Sequence, residues 1–128
     1  MISVTVYKQS NFPVNSKKVK EVISKTLTEN GIVSDTEVNV AIVGKQKMDE
    51  LNKKYYKDEI YEHPIFTFPE SDNKEFNFPP DGKIHLGQIV ISYPMAVETA
   101  NENNKLIDEV VCELAEHGAK HLLGIHHE

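Results

Sequence analysis

The sequence predicts a mixed α/β fold of the α+β kind: about four strands in one mixed sheet covered by helices, with a metal-binding histidine helix near the C-terminus. Three observations carry this expectation. Four short segments rich in Val and Ile have strand character, helical spacing takes over between and after them, and the last helical stretch ends in four of the chain's six histidines. With 128 residues and 39% hydrophobic content, residues 1–128 suit one domain around one core.

Ile2 to Tyr7 alternates apolar and polar residues, the period of a half-buried strand. Asn15 or Ser16 can cap a helix whose Val19, Val22, Ile23, Thr26 and Leu27 recur at helical spacing, and Asn30-Gly31 supplies its stop. Thr36 to Val43 is the second strand. Its Val38, Val40 and Ile42 face one way and Ala41 and Val43 the other, so cover on both faces is expected. Gly44 ends it, and Gln46 to Tyr55 places Met48, Leu51, Asn52 and Tyr55 on one face of a short amphipathic helix. Residues 57–63 have no period and predict a loop. Ile65 to Phe68 is strand-like, and Pro69 to Lys83 predicts a long surface connection with Phe76 and Phe78 as anchors. Ile84 to Ser92 resumes as a strand. Pro94 suits the first turn of a helix through Glu102, Asn103-Asn104 interrupts, and Leu106 to Leu123 is the longest periodic stretch, with Glu116 and Lys120 paired one turn apart.

No apolar run reaches the roughly eighteen residues of a membrane span, and the N-terminal Met-Ile-Ser-Val-Thr-Val-Tyr has neither a basic start nor an apolar signal segment. A cytoplasmic protein without membrane association is expected, and no nucleotide cofactor is expected. Cys112, the single cysteine, sits among Val110, Val111 and Leu114 and reads as a small buried hydrophobe more than a nucleophile. The net charge of −6 is unevenly spread: residues 1–60 hold ten lysines against eight carboxylates, residues 61–128 four against twelve. A polyanion is therefore expected to approach the N-terminal half, where Lys17, Lys18, Lys20 and Lys25 lie on one helix and Lys45, Lys47, Lys53, Lys54 and Lys57 lie on and after the next. Taken singly, each cluster is also what a solvated helix face looks like. Every cation is lysine, so phosphate would meet point charges without an arginine fork.

The histidines carry the chemistry. His117 and His121 are one helical turn apart on one face, so two imidazoles can converge on one ion. Gly124 can end the helix in the left-handed conformation and let the chain double back, bringing His127 up as a third nitrogen and leaving one position open. A histidine on an apolar stripe is commonly a core residue with backbone partners, but three at i, i+4 and i+10 with glycine at i+7 form a much narrower pattern. Interleaving with Leu122, Leu123 and Ile125 argues against an affinity tag. His126 could replace His127 or orient a neighbouring ligand; His127 is favoured. One zinc ion per chain is the expected cofactor, although imidazoles also accept nickel, copper or iron. Three nitrogens and an open position imply hydrolysis by metal-activated water. The order His-x-x-x-His-x-x-Gly-x-x-His is also that of metzincin peptidases, but those place Glu after the first His as general base, where this chain has Gly118.

The stretch His117-Gly-Ala-Lys-His121-Leu-Leu-Gly-Ile-His-His127 resembles the signature of the YbeY family of rRNA maturation endoribonucleases, roughly His-Gly-x-x-His-Leu-x-Gly-x-Asp-His. Leu51-Asn52-Lys-Lys-Tyr55 is similar to that family's Leu-Asn-x-x-Tyr, Ile65-Phe66-Thr67-Phe68-Pro69 to its Val-Leu-Ser-Phe-Pro, and Leu86-Gly87-Gln88-Ile89-Val90-Ile91-Ser92 to its Leu-Gly-Asp-Ile-Val-Ile-Ser. The resemblance spans most of the chain. It implies a small α/β fold, a three-histidine zinc site, cleavage of single-stranded RNA, and roles in rRNA processing and ribosome quality control with the small ribosomal subunit or assembly factors as partners. Tyr56 stands where the family has an arginine thought to meet phosphate, and His63-Pro64 stands where it has Thr-Asp. Gln88 and His126 each replace an Asp. On this reading Lys53, Lys54 and Lys57 guide phosphate, Tyr56 is the residual contact, and His63 is a candidate acid or base beside His117 and His121. Two alternatives stay open: a non-catalytic RNA-binding or ribosome-assembly factor with a structural metal, and, more weakly, a metallopeptidase.

Overall fold

The computed structural model describes residues 2–32, 35–55, 64–69 and 84–124. Among them, four strands and four helices follow in the order β1 (Ile2–Lys8), α1 (Ser16–Glu29), β2 (Thr36–Val43), α2 (Lys45–Tyr55), β3 (Ile65–Pro69), β4 (Ile84–Ser92), α3 (Tyr93–Asn103) and α4 (Ile107–Leu122). Each coincides, within a residue or two, with a segment expected from periodicity. The loop expected at 57–63 and nearly all of the connection to Lys83, with Phe76 and Phe78, lie outside the described residues.

Capping explains the helix starts. Asn15 Oδ1 accepts from the Lys18 backbone N–H at 3.2 Å at the start of α1. Ser92 Oγ accepts from the Met95 N–H at 3.3 Å at the start of α3, whose first turn also holds Pro94. The Asn103-Asn104 interruption takes a specific form: Asn104 adopts the left-handed conformation at φ 54°, which closes α3 and redirects the chain into α4.

The sheet runs β1-β2-β4-β3. β1, β2 and β4 are parallel, and β3, reached from β2 through α2, lies antiparallel on the edge of β4. Helices α1, α3 and α4 cover one face. There Ile23 and Leu27 of α1, Ala96 of α3 and Val111 of α4 pack on Val40 and Ile89 of the two central strands. Among the described residues only α2 covers the other face, where Met48 packs on Ala41, Val43, Val90 and Phe66. Among the described residues, the cover on both faces of β2 expected from its sequence is found for its C-terminal half; on the second face Glu37 is half-buried and Asn39 exposed. No helix among the described residues is long and apolar enough to cross a membrane.

A register shift deforms β4 beside the edge strand. Glu37 faces His85 but Val38 faces Gly87, so Leu86 is the extra residue of a bulge. Gly87 sits at φ +139°, and a Cβ there would lie 2.3 Å from the Phe68 carbonyl oxygen and 3.0 Å from Leu122 Cδ2. Only glycine satisfies both the backbone angle and the close approach of β3.

Candidate functional site

Helix α4 presents the histidines, and its own sequence orients it. Asp108 and Glu109 occupy its first turn and Lys120 and His121 its last, matching the helix dipole at both ends. Glu109 Oε1 accepts from the Leu106 N–H at 3.4 Å, and Asp108 Oδ1 accepts from the Asn15 N–H at 3.0 Å, tying the start of α4 to the cap of α1. On the outer side Lys120 Nζ lies 3.1 Å from Glu116 Oε1, the pair expected from their spacing. The inner side is buried through Val111, Ala115, Gly118, Ala119 and Leu122.

Gly118 has a packing role that spacing alone did not reveal. A Cβ at this position would lie 2.8 Å from Ile89 Cγ2 and 3.0 Å from Ile65 Cδ1. The missing methyl group is what lets α4 press onto β3 and β4 at the level of the histidines. His117 and His121 flank that contact, both half-buried. Their Nε2 atoms are 2.8 Å apart and their ring centroids 4.3 Å apart at 55°. At that separation one ring donates to the other. Two nitrogens on one tetrahedral zinc at ~2.0–2.1 Å stand roughly 3.3 Å apart, so a small rotation of either ring turns this pair into two ligands of one ion. The donor chemistry and convergence thus fit a zinc-type ion. Among the described residues no group of three His, Cys, Asp or Glu is assembled; His127, the expected third ligand, and His126 lie outside them. Gly124 lies inside them and takes the left-handed conformation expected of it, φ +83°, with its N–H on His121 O at 3.0 Å.

The remaining expected site residues divide. Tyr56, Lys57 and His63 lie outside the described residues. Lys53 and Lys54 are exposed in the last turn of α2 but diverge: Lys53 shares the outer helix surface with Lys45, Asp49 and Glu50, while Lys54 lines a groove on the open face of the sheet, its Nζ 5.2 Å from the centre of the Tyr55 ring. The sheet separates both from α4, whose apolar side packs on the opposite face. Cys112 is half-buried on α4, where burial foremost, then the Asp108 carboxylate, pushes its thiol above the ordinary value. A protonated thiol is a poor nucleophile, in keeping with its reading as a small hydrophobe.

Sequence reasoning gave no weight to the open sheet face. Tyr7 is 61% exposed there, and Asn39 and Gln88 project from the two central strands. The available signal was their phase: Glu37, Asn39 and Gln88 fall on the side of the strands opposite Val38, Val40, Ile42, Ile89 and Ile91.

Comparison with known proteins places the chain. A family model described as Endoribonuclease YbeY matches residues 5–128. An Endoribonuclease YbeY from Dehalococcoides mccartyi is 33% identical over 123 residues, covering 90% of this chain and 72% of that protein. One from Roseiflexus castenholzii is 28% identical over 128 residues, covering 100% of this chain and 80% of its own length. Among solved structures, the solution structure of a Thermotoga maritima protein superposes with a TM-score of 0.56 at 24% identity, covering 100% of this chain and 75% of that one, a likeness of fold.

Proposed function

From the chain's membership of the endoribonuclease YbeY family, we propose that it is a metal-dependent endoribonuclease acting on single-stranded RNA, in rRNA maturation and ribosome quality control at the small subunit. The observation that carries the metal site is the convergence of the His117 and His121 Nε2 atoms on one point of a buried helix–sheet contact. His127 is the third ligand in this reading. Zinc, when bound, supplies Lewis acidity that polarises a phosphoryl oxygen and brings the pKa of water to about 7. The chain's own residues do the rest. Gly118 seats α4 against Ile65 and Ile89, holding the imidazoles at fixed height. Glu116 and Lys120 neutralise each other on the outer side, so the imidazole pair is not drawn outward. Lys53, Lys54 and Lys57 attract the phosphate backbone. Tyr56, in place of an arginine, supplies one hydrogen bond or a stacking surface, and His63 serves as acid or base.

A second reading is a non-catalytic RNA-binding or ribosome-assembly factor with a structural metal, favoured by the neutral Tyr56 and Gln88 where the family pattern that the sequence resembles has Arg and Asp. Metal content and cleavage separate the two. For the His117→Ala, His121→Ala double variant we expect loss of bound zinc together with a drop in single-stranded RNA cleavage beyond the roughly 10–100-fold that loss of an outer-layer partner causes. Wild-type protein that holds zinc, unfolds without it and never cleaves RNA would establish the structural reading instead.

A further inference from the structure

The groove on the open sheet face joins Lys54 to side chains that have no part in the histidine site. It encloses about 460 Å³ between β1, α2 and β3, with Tyr7, Tyr55 and Phe68 as its rings, Lys47 and Lys54 as its charges and Gln88 on its floor. Cross-strand register explains the shape. Tyr7, Ala41, Val90 and Phe66 form one row across the sheet, and Thr5, Asn39, Gln88 and Phe68 the next. In the first row the small Ala41 lies beside Tyr7, which leaves the tyrosine ring standing clear of its neighbour. Tyr7 and Tyr55 are the most exposed aromatic side chains among the described residues, at 61% and 48%. Tyr55 meets Phe68 at 5.5 Å between ring centres, so the two fix each other.

Charge decides the occupant. The chain carries −6 overall, yet among the described residues no carboxylate lines this groove. Asp49 and Glu50 of α2 face the other way, with Lys45 and Lys53. Ammonium groups at the rim, accessible π faces and a neutral amide on the floor are the chemistry that holds single-stranded nucleic acid: phosphates on the lysines, bases on the rings, a base edge on Gln88. A duplex hides its base faces and cannot use the tyrosines.

We propose that this groove is a base-stacking subsite for single-stranded RNA, on the face of the sheet opposite the histidines, which positions the substrate without taking part in cleavage. It rests on the nuclease reading above for its choice of RNA. The test is a titration of a short fluorescein-labelled single-stranded oligoribonucleotide by fluorescence anisotropy, with cleavage of the same strand followed on gels. Tyr7→Ala should weaken binding about tenfold, the effect of losing one stacked base, while Tyr7→Phe, which keeps the ring, should bind as wild type. Gln88→Glu, equal in size but anionic, should weaken it several-fold, and Lys54→Ala should lower the slope of log affinity against log salt by about 0.7, one phosphate contact. The His117→Ala, His121→Ala double variant should keep the affinity while losing cleavage. Wild-type affinity in Tyr7→Ala and Gln88→Glu together with loss of binding in the histidine variant would overturn the proposal and leave the groove to a protein partner. Weakened binding by the groove variants of a wild-type protein that never cleaves would support the groove and overturn the nuclease reading instead.

Discussion

The two faces of the sheet solve opposite problems. Under α1, α3 and α4, Val38, Ile42, Ile89 and Ile91 are fully buried, and glycine is required wherever α4 or β3 comes closest. Under α2, a single helix anchored by Met48 leaves Tyr7, Asn39 and Gln88 in solvent. The close-packed face fixes a constellation: two half-buried imidazoles one helical turn apart, 2.8 Å between their Nε2 atoms, sit on a helix that Gly118 seats directly against Ile65 and Ile89. The open face offers surface, and surface tolerates exchange. Substitutions should therefore cost much on one side and little on the other.

Gly87→Ala should give the largest loss. A left-handed backbone and a clash with the Phe68 carbonyl combine to roughly 3–5 kcal/mol, read as a fall in the urea midpoint. A loss below 1 kcal/mol would mean that the bulge beside β3 yields, and that the packed face is softer than argued. Gly118→Ala should cost about 1–3 kcal/mol as Ile89 and Ile65 give way, and should weaken zinc binding by displacing α4. An unchanged zinc affinity would separate the histidines from the packing beneath them. Gly124→Ala sharpens the same point from the opposite side. Nothing lies within 4 Å of a Cβ there, so only backbone strain remains, about 1–2 kcal/mol. Tyr7→Ala, on the open face, should stay within about 0.5 kcal/mol of wild type.

The smallest effect concerns Cys112. Burial raises its folded pKa, so the protonated thiol is favoured in the native state. Its contribution to stability is therefore complete below the pKa of the unfolded thiol and is lost as pH rises through the folded value. Alkylation by iodoacetamide should be slower than for a free peptide thiol at neutral pH and accelerate only under alkaline conditions. A rate equal to that of the peptide thiol at pH 7 would show that this part of α4 opens readily.

Much of the fold was legible in the chain because its signals are local. Val-Ile alternation, an Asn cap before Val19, a Pro in the first turn of α3 and a glycine after Leu123 each act within a few residues, and each produced the expected element. The histidine pair was legible for the same reason: four residues are one turn. Gly118 was visible, but its meaning was not. From the sequence it was a position without a catalytic base, or one letter of a family signature; in the fold it is the point where two isoleucines from separate strands meet the helix.

The sequence alone thus determined the kinds and order of the elements, the shared face of His117 and His121 and the left-handed conformation of Gly124, since dihedral preference and side-chain period set these within single segments. Tertiary structure decided which strands became neighbours, that Gly87 and Gly118 are steric necessities, that Lys53 and Lys54 diverge, and that one sheet face leaves Tyr7, Asn39 and Gln88 exposed. Those outcomes depend on atoms that distant parts of the chain bring within a few ångströms of one another, and no local pattern encodes that distance.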